Sequence, residues 1–189
     1  CFRDREILLD WFDELCGARL TTSWYRIGGV ERDLTPTLID KLKQFLDYFP
    51  PKIDEYQVFL EKNRIWLGRT KGVAVISAED AVSFGLSGPV LRGSGVDYDL
   101  RKYEPYSAYP KCEFSVKVGK NGDTYDRYWI RMEEMWQSAR IIEQCLNQMP
   151  EGPVIAVDAQ AIPPPKPEVM RDMQSLIHHF IIFTQGFKP

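Results

Sequence analysis

The chain has 189 residues and a net charge of −3, a length suited to one substantial domain or to part of a larger protein. Its 44% hydrophobic and 13% aromatic content is enough for a packed core and too much for a disordered linker. Lysines and arginines are scattered, with no basic run interleaved with aromatics, which argues against a nucleic-acid partner. No apolar run approaches a membrane span, and the first residues carry no signal-peptide pattern.

Arg3 to Cys16 predicts a helix, because Ile7, Leu8, Trp11, Phe12 and Leu15 recur at three- and four-residue steps. Gly17 fits the left-handed residue that ends it. Thr21 to Tyr25 favours extended backbone, and Gly28-Gly29 breaks it. Thr35-Pro36 marks a helix start, a capping hydroxyl followed by proline. Leu38, Ile39, Leu42, Phe45, Leu46 and Phe49 form its apolar face, and Pro50-Pro51 is expected to end it. A second helix is expected over 52–67, with Ile53, Tyr56, Leu60 and Trp66 or Leu67 inward. So short a link predicts antiparallel packing of the two.

Residues 71–76 (KGVAVI) suggest a short strand or the entry to the next helix, where Ser77 and Asp80 resemble a capping box. The segment 87–110 is irregular but rich in tyrosine, so it is expected to be ordered. FSVKVGK (114–120) alternates like a short strand. Asn121-Gly122 is a turn signal that leads into a long helix. Tyr128, Met132, Met135, Ala139, Ile142 and Leu146 make a near-heptad seam on it. Beside them runs a charged line, Arg127, Arg131, Glu134 and Ser138. That line reads either as ion pairing on a solvated face or as a surface facing polar loops or a partner. A proline-rich connector (150–167) precedes a last helix over 168–184, with Met170, Met173, Ile177, Phe180 and Ile181 or Thr184 inward. The expected fold class is mainly α, α+β with a few short strands, in a single domain segment over 1–189. Within it lie a helical region with the Gly-Gly loop (1–70), an irregular or short-strand region (71–120), and the long helix, connector and terminal helix (121–189). The opening on Cys1 directly before a helical pattern, and the uncapped look of FTQGFKP, suggest an internal segment of a longer protein.

Motifs of chemistry are sparse. Cys1, Cys16, Cys112 and Cys145 include no C-x-x-C pair, so reduced thiols are expected rather than a zinc or iron–sulfur site. His178 and His179 are adjacent on a helix and point about 100° apart, which suits one packed and one solvated ring better than a shared metal. Gly93-Ser94-Gly95 lacks the strand–turn–helix context of a phosphate or dinucleotide loop.

Long collinear strings carry a resemblance: GARLTTSWYRIGGVERDL (17–34), EKNRIWLGRTKGVAVISAEDAVSFGLSGPVLRGSGVDYDLRK (61–102), NGDTYDRYWIRMEEMWQSARIIEQCL (121–146), EGPV (151–154) and MQSLIHHFIIFTQGF (173–187). Together they resemble the D subunit of NADH:quinone oxidoreductase, respiratory complex I. The resemblance implies a longer protein with a fold related to the large subunit of nickel–iron hydrogenases, peripheral on the cytoplasmic face of the bacterial inner membrane. It implies packing against a small subunit that bears the terminal [4Fe–4S] cluster, with quinone reduced between them, and with other complex I subunits as partners. The family's quinone-contacting histidine and tyrosine lie before residue 1, so no catalytic residue and no metal ligand falls on this segment. Alone it is expected to bind no cofactor and to be inactive. Arg19, Thr21, Arg26, Gly28 and Gly29 are the residues expected to face the cluster or quinone cavity. Arg19 and Arg26 have the alternative of structural arginines bonded to loop carbonyls. The sequence departs from the family at GARLT, where relatives read GARMH. Thr21 thus replaces a histidine near the cluster. The large subunit of a membrane-bound nickel–iron hydrogenase is the alternative family, and the DRYWIRMEEMWQS and SGVDYDLRK strings favour complex I over it.

Overall fold

The chain divides into two compact units, one built from residues 1–38 and 150–189 and the other from 39–149. The computed structural model describes residues 2–156 and 162–186. Cys1 and part of the proline-rich connector therefore lie outside the described residues.

In the first unit, α1 spans Phe2–Cys16. Gly17 closes it with a φ of 71° and a bond from its N–H to Asp13 O, the left-handed termination that its sequence predicts. The buried residues of α1 are Leu9 and Asp4, whereas Phe12 is exposed, so the inward stripe is rotated from the expected one. A two-stranded antiparallel hairpin follows, β1 (Tyr25–Arg26) and β2 (Gly29–Val30). Two expected features of the last helix are corrected. It is two helices, α8 (Lys166–Val169) and α9 (Met173–Gln185), because Asp172 caps a new start by accepting from Ser175 N–H at 2.7 Å. Met170, Met173, Ile177, Phe180 and Ile181 are exposed rather than inward. Gly186, with a positive φ, caps α9, which corrects the expectation that FTQGFKP is uncapped.

The second unit carries most of α2, Pro36–Glu61. Thr35 starts it as expected, its hydroxyl accepting from Leu38 N–H. Pro50 and Pro51 lie inside this one helix and do not end it, so the expected antiparallel pair does not form there. The reason is phase: Leu38, Leu42, Phe45, Phe49, Ile53, Tyr56 and Leu60 keep three- and four-residue steps across the prolines. All seven are buried or half-buried. Ile53 is 0% exposed and Phe45 7%, so apolar anchors hold the helix on both sides of the prolines. α2 stops at Asn63, whose side chain caps α3 (Arg64–Thr70) by accepting from Ile65 and Trp66 N–H.

α4 (Ala78–Ser83) starts at the predicted Ser77 cap, which accepts from Asp80 N–H. Next come α5 (Gly88–Gly93), α6 (Leu100–Tyr103) and a 3-10 turn at Tyr109–Lys111. The long helix α7 spans Thr124–Gln148, capped by Asp123, and packs chiefly on α5 and then on α3. Its deepest residue is Ile130, 0% exposed. Ile130 lies off the predicted seam, of which Met132 alone is fully buried.

The strand expected at 114–120 does not form, and 71–76 takes the second of its two expected forms, the entry to α4. Residues 71–76 are loop because their polar groups are taken by the start of α7. Val73 O accepts from Thr124 N–H and its hydroxyl, Ala74 O accepts from Arg127, and Ile76 N–H donates to Gly122 O. Residues 114–120 lack a partner strand. Glutamines of α7 serve instead: Gln137 Oε1 accepts from Ser115 N–H, and Gln144 Oε1 from Glu113 N–H.

Candidate functional site

The sequence-predicted site residues all fall in the first unit. Gly17 turns the chain after α1, and this brings Arg19 back over the helix. There its guanidinium donates to both Glu6 and Asp10, carboxylates one helical turn apart. The Asp10 hydrogen bond holds the Arg19 pKa above the usual arginine value. Thr21 is exposed on the following loop.

The hairpin then sets Arg26 opposite Gly29. Arg26 donates to Glu31 Oε2 at 2.6 Å, and Trp24 Nε1 closes the base by donating to Arg32 O at 2.8 Å. Gly28 and Gly29 are needed for different reasons. Gly28 turns with a φ of 89°. Gly29 lies against the chain at 154–156, where a Cβ would sit 2.1 Å from Val154 O. That close approach creates a third strand-like edge, with Val30 N–H donating to Val154 O and Ala156 N–H to Gly28 O. Arg26, Gly28 and Gly29 are therefore brought together, whereas Arg19 is tied to α1. Both arginines take carboxylates as partners, not the loop carbonyls considered as their structural alternative.

A second constellation, in the other unit, is not visible from spacing. Arg92 on α5 is 4% exposed. It donates to Glu134 on α7, lies 3.4 Å from Asp99 Oδ2 and donates weakly to Tyr98 O, while its Nε is buried without a partner. Asp99, also 4% exposed, caps α6 through Arg101 N–H and accepts from the Arg101 guanidinium at 3.0 and 2.6 Å. Burial lowers the Arg92 pKa against the pull of Asp99, yet a guanidinium stays charged at any ordinary pH. The hydrogen bonds from Arg101 hold the Asp99 carboxyl below the usual range, against its burial.

Half of the charged line of α7 meets this chain's own elements, Arg127 a loop and Glu134 helix α5. Arg127 donates to Gly122 O and Ala74 O, and Glu134 meets Arg92. Arg131 and Ser138 are exposed. The sequence signalled all four by their i,i+3 and i,i+4 steps, but not Arg92, which Glu134 and Asp99 meet through the fold. Asp126 is a third hub, accepting from Lys120 and Asn121 N–H at 2.7 and 2.6 Å. Burial pushes its pKa up, but these bonds together bring it below the usual value. Beside it, burial and then Glu61 push the Tyr128 hydroxyl up to about 12.

His179 packs on Phe183 at 4.6 Å, and His178 is half-buried with its Nε2 unpartnered, so neither is the solvated ring expected. Among the described residues no group of three or more His, Cys, Asp or Glu could hold a metal ion. No described helix is long and apolar enough to cross a membrane.

The sequence matches the family model described as respiratory-chain NADH dehydrogenase, 49 Kd subunit, over residues 1–189. The NADH-quinone oxidoreductase D subunit of Magnetococcus marinus is 49% identical over 99% of this chain and 47% of its own length. A D subunit of the same enzyme from Chloroflexus aurantiacus, the second of that name, is 49% identical over 100% of this chain and 46% of its own. The mitochondrial NADH-ubiquinone oxidoreductase 49 kDa subunit of Neurospora crassa is 47% identical over 98% of this chain and 39% of its own. The chain spans about half the length of the curated relatives it matches.

Proposed function

The chain belongs to the 49 kDa subunit family of respiratory-chain NADH dehydrogenases, and on that premise we propose that it is a core part of the peripheral arm of an NADH:quinone oxidoreductase. It forms part of the wall around the quinone-reducing site and the terminal [4Fe–4S] cluster, which a neighbouring small subunit holds. It binds no cofactor and catalyses nothing alone. The assembly is a proton-translocating enzyme on the cytoplasmic face of a bacterial inner membrane, with this chain peripheral. Its kinship with the large subunit of nickel–iron hydrogenases is part of the same reading. The collinear match over residues 1–189 carries the proposal. The apolar residues left exposed on α9 support a role inside an assembly.

Thr21, Arg19 and Arg26, with Gly28 and Gly29 shaping the loop, face the cluster or quinone cavity in this reading. Arg26 is matched by Glu31 and Arg19 by both Glu6 and Asp10, so at a distance the first group is a dipole, the second carries a net negative charge, and neither is a bare positive charge. The exposed Thr21 has no titratable group and supplies only a hydrogen bond. Where relatives carry histidine, a proton gained about 7 Å from a reduced cluster, at an effective dielectric near 20, favours reduction by about 2.4 kcal/mol. That is roughly 100 mV for one electron. The expected result is a lower cluster potential in the intact complex, nearly flat from pH 6 to 8. Thr21→His should raise it by about 100 mV near pH 6 and introduce a slope. Potentiometric titration of the parent complex at several pH values is the test. A wild-type potential already falling by about 60 mV per pH unit would defeat the role given to Thr21.

A further inference from the structure

Cys112 and Cys145 are 33 positions apart, yet their sulfurs lie 3.9 Å from each other. Cys112 is buried just after the 3-10 turn, and Cys145 is exposed near the end of α7. They share the rim of a cavity of about 190 Å³ with Ser107, Ala108, Tyr109 and Ile141. The opposition is built by their neighbours. Gln144 Oε1 accepts from Glu113 N–H at 2.7 Å, and Gln144 Nε2 donates to Glu113 O at 2.8 Å. One side chain thus grips both polar groups of the residue beside Cys112, from the position beside Cys145.

We propose that Cys112 and Cys145 form a reversible dithiol–disulfide site that responds to peroxide and staples the 107–114 segment to α7. A disulfide needs sulfurs about 2.05 Å apart, so side-chain rotation has roughly 2 Å to close while the glutamine clamp holds the backbone. The exposed partner reacts first. The Cys145 thiolate attacks one oxygen of hydrogen peroxide, the O–O bond breaks, and the departing hydroxide leaves as water with the proton that the thiol released. Cys145 is then a sulfenic acid. The Cys112 sulfur attacks Cys145 Sγ, the S–O bond breaks, and hydroxide leaves as water with the Cys112 proton. Two thiols and one peroxide become one disulfide and two waters, and a thiol reductant restores the start. Burial and the Cys112 hydrogen bond raise the Cys145 pKa, so the first step accelerates as pH rises from 7 to 9. Neither the cluster nor the quinone enters this chemistry, so it stands apart from the function proposed above.

The test is native treatment of the full chain with hydrogen peroxide, alkylation of remaining thiols, and peptide mapping by mass spectrometry. The expected product is one cross-linked peptide pair joining Cys112 to Cys145, two hydrogens lighter than the thiols and abolished by dithiothreitol, with Cys16 still alkylated. In Cys112→Ser, the sulfenic acid at Cys145 persists and is trapped by dimedone. In Cys145→Ser, Cys112 stays alkylatable after unfolding at the same dose. Sulfinic acid at Cys145 in the wild type with the Cys112 thiol intact would overturn the proposal. So would a cross-link to Cys1 or Cys16, or no loss of these two thiols at a dose that oxidises Cys16.

Discussion

Arg92 is a cation that folding takes almost wholly out of water, and its partners come from two elements, Glu134 on α7 and Asp99 at the start of α6. Breaking a buried pair by removing one partner costs more than the pair contributes net, because a charge is left behind. Glu134→Ala should therefore destabilise the second unit by about 3 kcal/mol, and Glu134→Gln by less, since an acceptor remains. A urea midpoint shift equivalent to under about 1 kcal/mol for the alanine variant would mean that solvent screens the pair. The same network predicts an acid limb. Asp99 and Asp126 are both held below the usual carboxylate range when folded, so the unfolded chain binds their protons first. Their stabilisation is complete above the ordinary value of about 3.9 and is lost as pH falls through the lower folded values. Asp99→Asn should flatten that limb in thermal melts taken between pH 5 and 2. An unchanged limb would assign it to other carboxylates.

At the scale of elements, α2 shows packing overriding propensity. Pro50 and Pro51 remove the N–H groups that would bond Leu46 O and Asp47 O, and each proline disfavours helical backbone at the residue before it. The helix persists because its arms are anchored at Phe45 and Ile53. Replacing both prolines by alanine should stabilise the protein by about 1–3 kcal/mol, the restored bonds outweighing the added freedom of the unfolded chain. A lower denaturation midpoint would show that a proline-set bend is needed for packing. Phe45→Ala should cost about 3–5 kcal/mol. A loss under about 1 kcal/mol would place that ring outside the core.

At the scale of the molecule, two compact units carry no metal-ligand cluster among their described residues. The chain purified anaerobically should therefore hold substoichiometric iron and nickel and show no flavin absorbance. Stoichiometric iron by elemental analysis would assign a cluster to this chain and overturn the division of labour proposed for the assembly.

What the sequence determined by itself was local or long and continuous. The caps at Thr35, Ser77 and Gly17 were legible because a cap is a contact between residues three or four apart. The family was legible because its signal is spread over nearly every residue. The phase of the α2 stripe was also present in the sequence, although the proline pair masked it. The tertiary structure alone decided the rest. Strand character at 114–120 depended on a partner strand, and the partner proved to be glutamines of α7. Leu9 and Ile130, off the expected stripes, are buried, and for Ile130 the helix that carries it packs on both α5 and α3. The meeting of Arg92 with Glu134, and of Cys112 with Cys145, spans 42 and 33 positions. No periodicity reaches that far, since such pairs meet only once α5 and the 107–114 segment have packed along α7.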